Sequence, residues 1–387
     1  MNGIRNQVLL TLVIAAVAAV ALSGFVAYAP NRLVSGRPVA LWHAASLPVT
    51  AAIVLTGVML LAMCFIAPSR SLHYAEATLA AALLLLVLVA AAEAARTLSP
   101  GAKPAARISL GAAFWLPASC AALGVVDALQ RLEAGPAVRV LAVAAIVAGA
   151  VVLAAAGTFD NLSLAREYAT RRQLFADAVL RHIALVAGSV GPAIAIGFPL
   201  GMAAARHPSL QNPLFAVLNL LQTIPSIALF GLLIFPLAAL ATALPQLAAI
   251  GVGGIGVAPA IVALVLYALL PVVRNTSAGI TGVDGAVIEA GRGMGLTQRQ
   301  IFRQVELPLA LPVLLAALRI VTVQAIGLAV VATLIGAGGL GTFVFEGLGQ
   351  YAVDLVLLGA LPAIFLALAA DFILQTLIAV LRRYHAP

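Results

Sequence analysis

The chain has 387 residues, of which 64% are hydrophobic and only 9% are charged, and its mean hydropathy is +1.15. A soluble domain carries about a quarter charged residues, so this chain cannot cover a water-facing surface. Its apolar runs are long enough to cross a hydrocarbon core of ~30 Å, and they are continuous, which excludes an outer-membrane barrel. The composition predicts an all-α polytopic membrane protein with about ten transmembrane helices.

The net charge of +8 does not indicate a nucleic-acid partner. The cations are almost all arginines, scattered through short loops, which is typical of a protein whose topology in a lipid membrane follows the positive-inside rule. Cys64 and Cys120 lie inside apolar runs, without histidine or cysteine neighbours at ligand spacing. We interpret them as small core residues, and we expect no metal site.

The N-terminal part, residues 1–158, is predicted to be an accessory region of five transmembrane helices. The first apolar run imitates a signal peptide, with the cleavage-like triplet Ala27-Tyr28-Ala29. That run is longer than an ordinary signal sequence, so we expect a retained first span. The five predicted helices cover residues 8–29, 40–67, 76–95, 109–129 and 138–157.

The composition changes at Asp160, where a segment rich in arginine and acidic residues begins. Leu164, Tyr168, Phe175 and Val179 recur near helical spacing within it, so residues 159–181 are predicted to be an amphipathic connecting segment on the membrane surface. Five further helices follow, predicted at residues 182–205, 213–240, 246–273, 309–336 and 355–381.

Arginines of the C-terminal part fall in one set of loops, whereas the opposite loops, residues 241–246 and 337–354, contain none. By the positive-inside rule, the arginine-bearing loops and the C-terminus face the cytoplasm. Ten spans then put the N-terminus inside as well. The N-terminal part is less decisive, because Arg96, Lys103 and Arg107 would lie outside.

Residues 284–308 form a charged, glycine-containing loop between two spans. Asp284 is suited to cap a short helix, along which Val287, Ala290 or Gly291, and Met294 form an apolar stripe. Gly295 stands where a left-handed glycine ends such a helix. The sequence Thr297-Gln298-Arg299-Gln300 has capping-box spacing and predicts a second short helix before the span that begins at Pro308. The loop is therefore predicted to be a basic, amphipathic helix–turn–helix.

This loop resembles the cytoplasmic coupling loop of permeases of ATP-binding-cassette (ABC) importers, whose pattern is Glu-Ala-Ala, three residues, Gly, nine residues, Ile, one residue, Leu-Pro. Here the pattern is carried by Glu289, Ala290, Gly291, Gly295, Val305, Leu307 and Pro308. Gly291 and Val305 are mild departures from it. The resemblance implies that these positions contact an ATPase subunit, with Arg292, Arg299 and Arg303 at the border of the contact.

Three segments narrow the resemblance to permeases that import glycine betaine, choline and related osmoprotectants: LQTIPSIALFGLL from Leu221, LLPVVRNTSAGITGVD from Leu269 and IGAGGLGTFVFEGL from Ile335. It covers residues 182–381, which would form the importer permease domain, and the N-terminal helices resemble a longer subgroup. The resemblance implies a bacterial inner-membrane protein, a second permease copy, a cytoplasmic ATP-binding subunit that carries ATP and magnesium, and an extracytoplasmic solute-binding protein. Aromatic residues are only 6% of the chain, so a cation cage is expected on that binding protein.

The alternative functions are an intramembrane enzyme, an ion-driven transporter and an ABC permease for another small solute. The only lysine, Lys103 in PGAKPAA, is followed by proline, so the chain has no P-loop and no cofactor site of its own. An intramembrane enzyme is disfavoured because the histidines, His182 among them, are expected at span ends or in loops, and we predict no catalytic residues. An ion-driven transporter would bury several ionisable residues. An ABC permease for another small solute, such as an amino acid, stays open.

Two charges lie deep in the predicted C-terminal spans. Arg319 is about ten residues into the helix that follows Pro308, and Asp371 lies about eleven residues before Arg382, so both sit roughly 15 Å from the same membrane face. A lone charge at that depth costs several kcal/mol unless it is paired or hydrated. We predict an ion pair that braces the two helices; the alternative is that one or both residues face a water-filled pore.

Overall fold

The computed structural model describes residues 4–31, 34, 36–99, 105–249 and 251–385, with the backbone alone for residues 382–385. Lys103, used above to exclude a P-loop, lies outside the described residues. The chain divides into two compact units, residues 1–170 and residues 171–387.

The first unit contains five long apolar helices, a small sheet and two short helices. Its elements are α1 (Gln7–Leu22), β1 (Val26–Ala29), β2 (Arg37–Val39), α2 (Leu41–Ala44), α3 (Leu47–Met63), α4 (Arg70–Leu98), β3 (Arg107–Leu110), α5 (Ala112–Arg131), α6 (Pro136–Ala155) and α7 (Ser163–Thr170). Buried small residues of α4, such as Ala90 and Ala94, pack against α3 and α5. Small residues allow membrane helices to approach closely.

The three-stranded sheet was not predicted. Its order is β2-β1-β3, and β1 pairs antiparallel with both neighbours, so that Val26 stands opposite Val39 and Leu110. The predicted helix 8–29 therefore ends at Leu22, because the last four of its apolar residues form β1 instead. Ser163 of α7 accepts a hydrogen bond from the Ile108 amide at 2.7 Å, which covers the outer side of β3.

The second unit is built around α12. Its elements are α8 (Arg172–Arg206), α9 (Pro208–Thr223), α10 (Ser226–Ala243), α11 (Pro245–Ala249), α12 (Val257–Thr281), α13 (Gly285–Gly293), α14 (Gln298–Ile301), a π-helix (Phe302–Glu306), α15 (Leu307–Val331), a 3₁₀ turn (Ala332–Ile335), α16 (Gly341–Gly349) and α17 (Val353–His385). More than half of the most apolar window of α12 is buried, against α8 on one side and α15 on another.

Glycines set the distance between α8 and α12. A Cβ atom on Gly201 would lie 2.5 Å from Cβ of Thr276 and 2.8 Å from the Val273 carbonyl oxygen, and one on Gly197 would lie 2.7 Å from Val272. Since real Cβ atoms do not approach so closely, the two helices can pack at this distance only with glycine at both positions.

Eight helices are long and apolar enough to cross a membrane, and α1 and α3 are shorter apolar helices, counted over the described residues. This confirms the prediction of an all-α membrane protein with about ten such helices, the small sheet being an addition. The expected amphipathic segment 159–181 is divided in the structure. Part of it forms α7, and from Arg172 onward it belongs to α8, which runs unbroken to Arg206.

The helix predicted over residues 213–240 is in fact two helices, α9 and α10. Ile224 is extended, with φ −71° and ψ 125°, because the residue before a proline avoids the helical region and Pro225 follows it. The hydroxyl of Tyr267 donates a hydrogen bond to the Ile224 carbonyl oxygen, and the Gln222 amide donates to the Tyr267 carbonyl oxygen at 2.5 Å. The Tyr267 hydroxyl therefore satisfies a backbone carbonyl at the break, as non-helical backbone at membrane depth requires.

Candidate functional site: the 284–308 helix–turn–helix

The helix α13 has defined ends. The carboxylate of Asp284 accepts a hydrogen bond from the Ala286 amide at 2.9 Å, which satisfies one of the free donors of the first turn. At the other end, Gly295 has φ +81°, and the Leu296 amide donates to the Gly291 carbonyl oxygen at 3.1 Å. The predicted cap and the predicted left-handed glycine are both present, so the turn has one defined geometry.

The second short helix begins at the predicted capping box. The Thr297 hydroxyl accepts from the Gln300 amide at 3.4 Å, and the Gln300 side-chain oxygen accepts from the Thr297 amide at 2.8 Å. The sequence predicted that this helix would end before the span, but it does not. It passes through the π-helix Phe302–Glu306 directly into α15, so that Pro308, which has no amide to donate, lies just after the wider turn.

Burial varies along the apolar stripe of α13. Val287 is 43% exposed and Met294 is 74% exposed, so the predicted apolar stripe is uncovered at its ends. Gly291, by contrast, is buried against Ile301 and Leu296. A Cβ atom on Gly291 would lie 3.6 Å from both side chains, which is ordinary contact, so the alanine of the permease pattern would fit here.

The other residues predicted for this site divide between exposed and partly buried positions. Leu307 and Pro308 are half-buried in the first turn of α15, where they anchor the segment to the membrane-crossing helix. The remaining ones are exposed along the helix–turn–helix: Glu289, Ala290, Arg292, Arg299 and Arg303. The exposed surface thus alternates apolar and charged side chains, which suits contact with another protein.

An ion pair that was not predicted holds the segment to α8. Nη2 of Arg206 lies 2.6 Å from Oε2 of Glu306, which is 7% exposed, and the same guanidinium carbon lies 5.9 Å from the ring centre of Phe302. The sequence analysis singled out neither of these two residues. No local pattern joins two residues one hundred positions apart.

Arg319 and Asp371 meet in the second unit. Nε of Arg319 lies 2.5 Å from one carboxylate oxygen of Asp371, and Nη2 donates to the other at 3.1 Å, which is a bidentate pair between α15 and α17. Their side chains are 36% and 33% exposed in the single chain. The pair is therefore open on one side to whatever surrounds this unit.

One expectation about the histidines is wrong. His182 was placed at the end of a span, but α8 begins ten residues earlier, so His182 lies within that helix and is fully buried. It packs beside Gly339, whose Cβ atom would lie 3.2 Å from Nδ1 of the ring.

Apolar helices of this length define a multi-pass membrane protein, and the second unit exposes a charged, capped helix–turn–helix between two of them. Family comparison agrees. Residues 197–383 match the model of the binding-protein-dependent transport system inner membrane component, and residues 4–165 match that of the ABC transporter permease YehY, N-terminal domain. The chain belongs to the family of binding-protein-dependent transport system inner membrane components, the permeases of ABC importers.

Curated relatives match the second half of the chain. The osmoprotectant import permease protein OsmW of Salmonella typhimurium is 43% identical over 206 residues, which are 53% of this chain and 91% of the relative. The carnitine transport permease protein OpuCB of Listeria monocytogenes is 42% identical, over 51% of this chain and 83% of the relative. The choline transport system permease protein OpuBB of Bacillus subtilis is 39% identical, over 50% and 80%.

The chain is also similar to a chain in a solved structure of the MetNI methionine ABC transporter in an inward-facing conformation. The matched region is 55% of this chain and 98% of that one, with 24% identity and a TM-score of 0.47.

Family membership confirms several predictions. The chain is a multi-pass protein of the bacterial inner membrane, and it is a permease subunit, not an enzyme. The family implies an ATP-binding subunit and a solute-binding protein as partners.

Proposed function

We propose that this chain forms the translocation pore of an importer for glycine betaine, choline or a related quaternary ammonium osmoprotectant. The observation that carries the substrate class is the relatives themselves, whose names specify osmoprotectants, carnitine and choline as cargo. Carnitine and choline share a permanently cationic trimethylammonium group. An importer for this class must accept that group, whose charge does not change with pH.

The helix–turn–helix 284–308 is proposed to dock into a groove of a cytoplasmic ATP-binding subunit. Glu289 and Ala290 enter the groove, and the three arginines Arg292, Arg299 and Arg303 border the contact. The support is geometric: both short helices are capped, and Val287 and Met294 at the two ends of the stripe are exposed. A preorganised surface binds with a smaller loss of conformational entropy than a mobile loop.

The remaining parts follow from this assignment. The helix–turn–helix faces the cytoplasm, ATP and magnesium lie on the partner subunit, and two copies of the permease together enclose the pore. An extracytoplasmic binding protein holds the substrate before it enters. Residues 182–381 form the permease domain, residues 159–181 connect it to the N-terminal part, and residues 1–158 are an accessory set of helices.

Arg319 and Asp371 are proposed to brace α15 against α17. Their bidentate contact supports this role, because two aligned hydrogen bonds fix the relative position of the helices as well as neutralising both charges. An arginine in the apolar core without such a partner costs at least about 2.5 kcal/mol.

Uptake by the reconstituted complex tests the substrate class. The permease, its ATP-binding subunit and its binding protein are placed in liposomes, and uptake of labelled glycine betaine is measured with excess unlabelled choline, carnitine, proline or methionine. We expect choline and carnitine to compete, and proline and methionine to have no effect. Competition by methionine or proline alone would contradict the proposed substrate and favour an amino-acid permease.

A further inference from the structure

A single guanidinium contacts both ends of the π-helix that joins α14 to α15. Phe302 is the first residue of this π-helix and Glu306 is the last, and Arg206 lies over the ring of one and binds the carboxylate of the other. The π-helix is also closed by its own hydrogen bond, from the Leu307 amide to the Phe302 carbonyl oxygen. Arg206 therefore clasps this one turn of helix from outside.

Arg206 extends from the end of a helix that packs closely against α12. It is the last residue of α8, and the close approach of Gly197 and Gly201 to α12 allows little sliding between those two helices. Its side chain thus connects the tightly packed pair of α8 and α12 to the base of the helix–turn–helix.

The π-helix is the adjustable element in this arrangement. Its hydrogen bond spans five residues, one more than in an α-helix; such turns are rare, and single π turns inside α-helices frequently occur at functional sites. Conversion of such a turn to an α-helix would rotate everything before it relative to α15. Pro308 favours the wider turn locally, because it has no amide to donate to the Gln304 carbonyl oxygen, and Arg206 adds a contact from another helix.

We infer that Arg206 is a positioning residue for coupling: through Phe302 and Glu306 it holds the π-helix in register, so that movement of α13 and α14 is transmitted to α8 and α12. This rests on the proposed docking of an ATP-binding subunit on residues 284–308. Arg206 does not touch that subunit in this account. Its loss should separate ATP hydrolysis from transport while the subunit stays bound.

The test compares the parent complex with the variants Arg206→Gln, Glu306→Gln and the exchanged pair Arg206→Glu with Glu306→Arg. Three quantities are measured: ATP-binding subunit retained on purification, ATP hydrolysis, and uptake of glycine betaine, choline and carnitine in parallel. Coupling between sites is commonly on the order of 5- to 150-fold, so we expect each single variant to lower uptake per ATP about tenfold, with less than a twofold change in retained subunit. The exchanged pair should recover part of the loss.

The matched control is Arg274→Gln. Arg274 also lies over an aromatic ring, 5.8 Å from the centre of Phe215. Its guanidinium, however, donates a hydrogen bond to the side-chain oxygen of Asn219 and not to a carboxylate. We expect Arg274→Gln to change uptake per ATP less than the Arg206 variants do. Unchanged uptake per ATP in Arg206→Gln, with the subunit bound, overturns this inference and leaves the proposed function intact. A parent complex that neither retains the subunit nor takes up any of the three substrates contradicts both.

Discussion

Replacement of Gly295 by valine is expected to abolish uptake, with the permease still inserted and folded. Gly295 has φ +81°, and no atom lies within 4 Å of the Cβ position, so space is available and the backbone alone is the obstacle. A residue with a side chain costs roughly 1–2 kcal/mol in the left-handed region, and a β-branched one resists it further. The turn between α13 and α14 must then open, and the exposed surface of α13 leaves its docking position.

Folding should survive this substitution because α13 contributes little to the core. Among the described residues of α13, only Gly291 is buried. Two variants serve as controls. Gly295→Asn should keep most of the uptake, since asparagine tolerates the left-handed conformation. Gly293→Val tests added bulk alone, as Gly293 also has open space around its Cβ position but does not have a positive φ. Membrane insertion, retained ATP-binding subunit and uptake are measured; normal uptake by Gly295→Val would contradict docking through this turn.

Neutralisation of either partner of the Arg319–Asp371 pair is expected to lower the stability of the permease. Each single variant, Arg319→Gln or Asp371→Asn, leaves the other charge unpaired between α15 and α17. Breaking a fully buried pair costs about 3–5 kcal/mol, whereas an exposed pair contributes about 0–1 kcal/mol; because both side chains are about one-third exposed, we expect a loss on the order of 2 kcal/mol. The measurement is the unfolding temperature and yield of the purified permease in detergent, together with its uptake.

The exchanged pair, Arg319→Asp with Asp371→Arg, separates bracing from a role in the pore. A brace requires only that opposite charges meet, so the exchange should recover part of the lost stability. If the exchanged pair is no better than the worse single variant, and the single variants change substrate affinity without changing stability, the residues face the pore instead.

Local chemistry explains which parts of this structure the sequence predicted. The caps at Asp284 and Thr297 and the left-handed Gly295 depend on residues two to five positions apart, so the short-range pattern was sufficient. Arg319 and Asp371 are 52 positions apart, yet their predicted depths in the membrane are the same. Because an unpaired charge at that depth is costly, each was expected to find a partner or water. Two opposite charges at the same depth have few other partners, so their pairing could be predicted.

Features that depend on distant partners or on the absence of pattern were missed. The contact of Arg206 with Glu306 joins two helices one hundred positions apart, and neither residue lies deep in a span where its charge would have demanded a partner. The strand Val26–Ala29 continues an apolar run, and hydropathy alone cannot separate a strand from the last turn of a helix there. The break at Ile224 was hidden because proline within a span is common in membrane helices.

The energy source of transport tests the central claim most directly. The permease and the binding protein are reconstituted in liposomes, with or without the ATP-binding subunit, and uptake of labelled glycine betaine is followed with ATP supplied to the ATP-binding subunit or with an ion gradient alone. This account predicts accumulation only when the subunit and ATP are both present, unaffected by collapse of the ion gradient. Accumulation by the permease without the subunit, driven by the gradient, would contradict it.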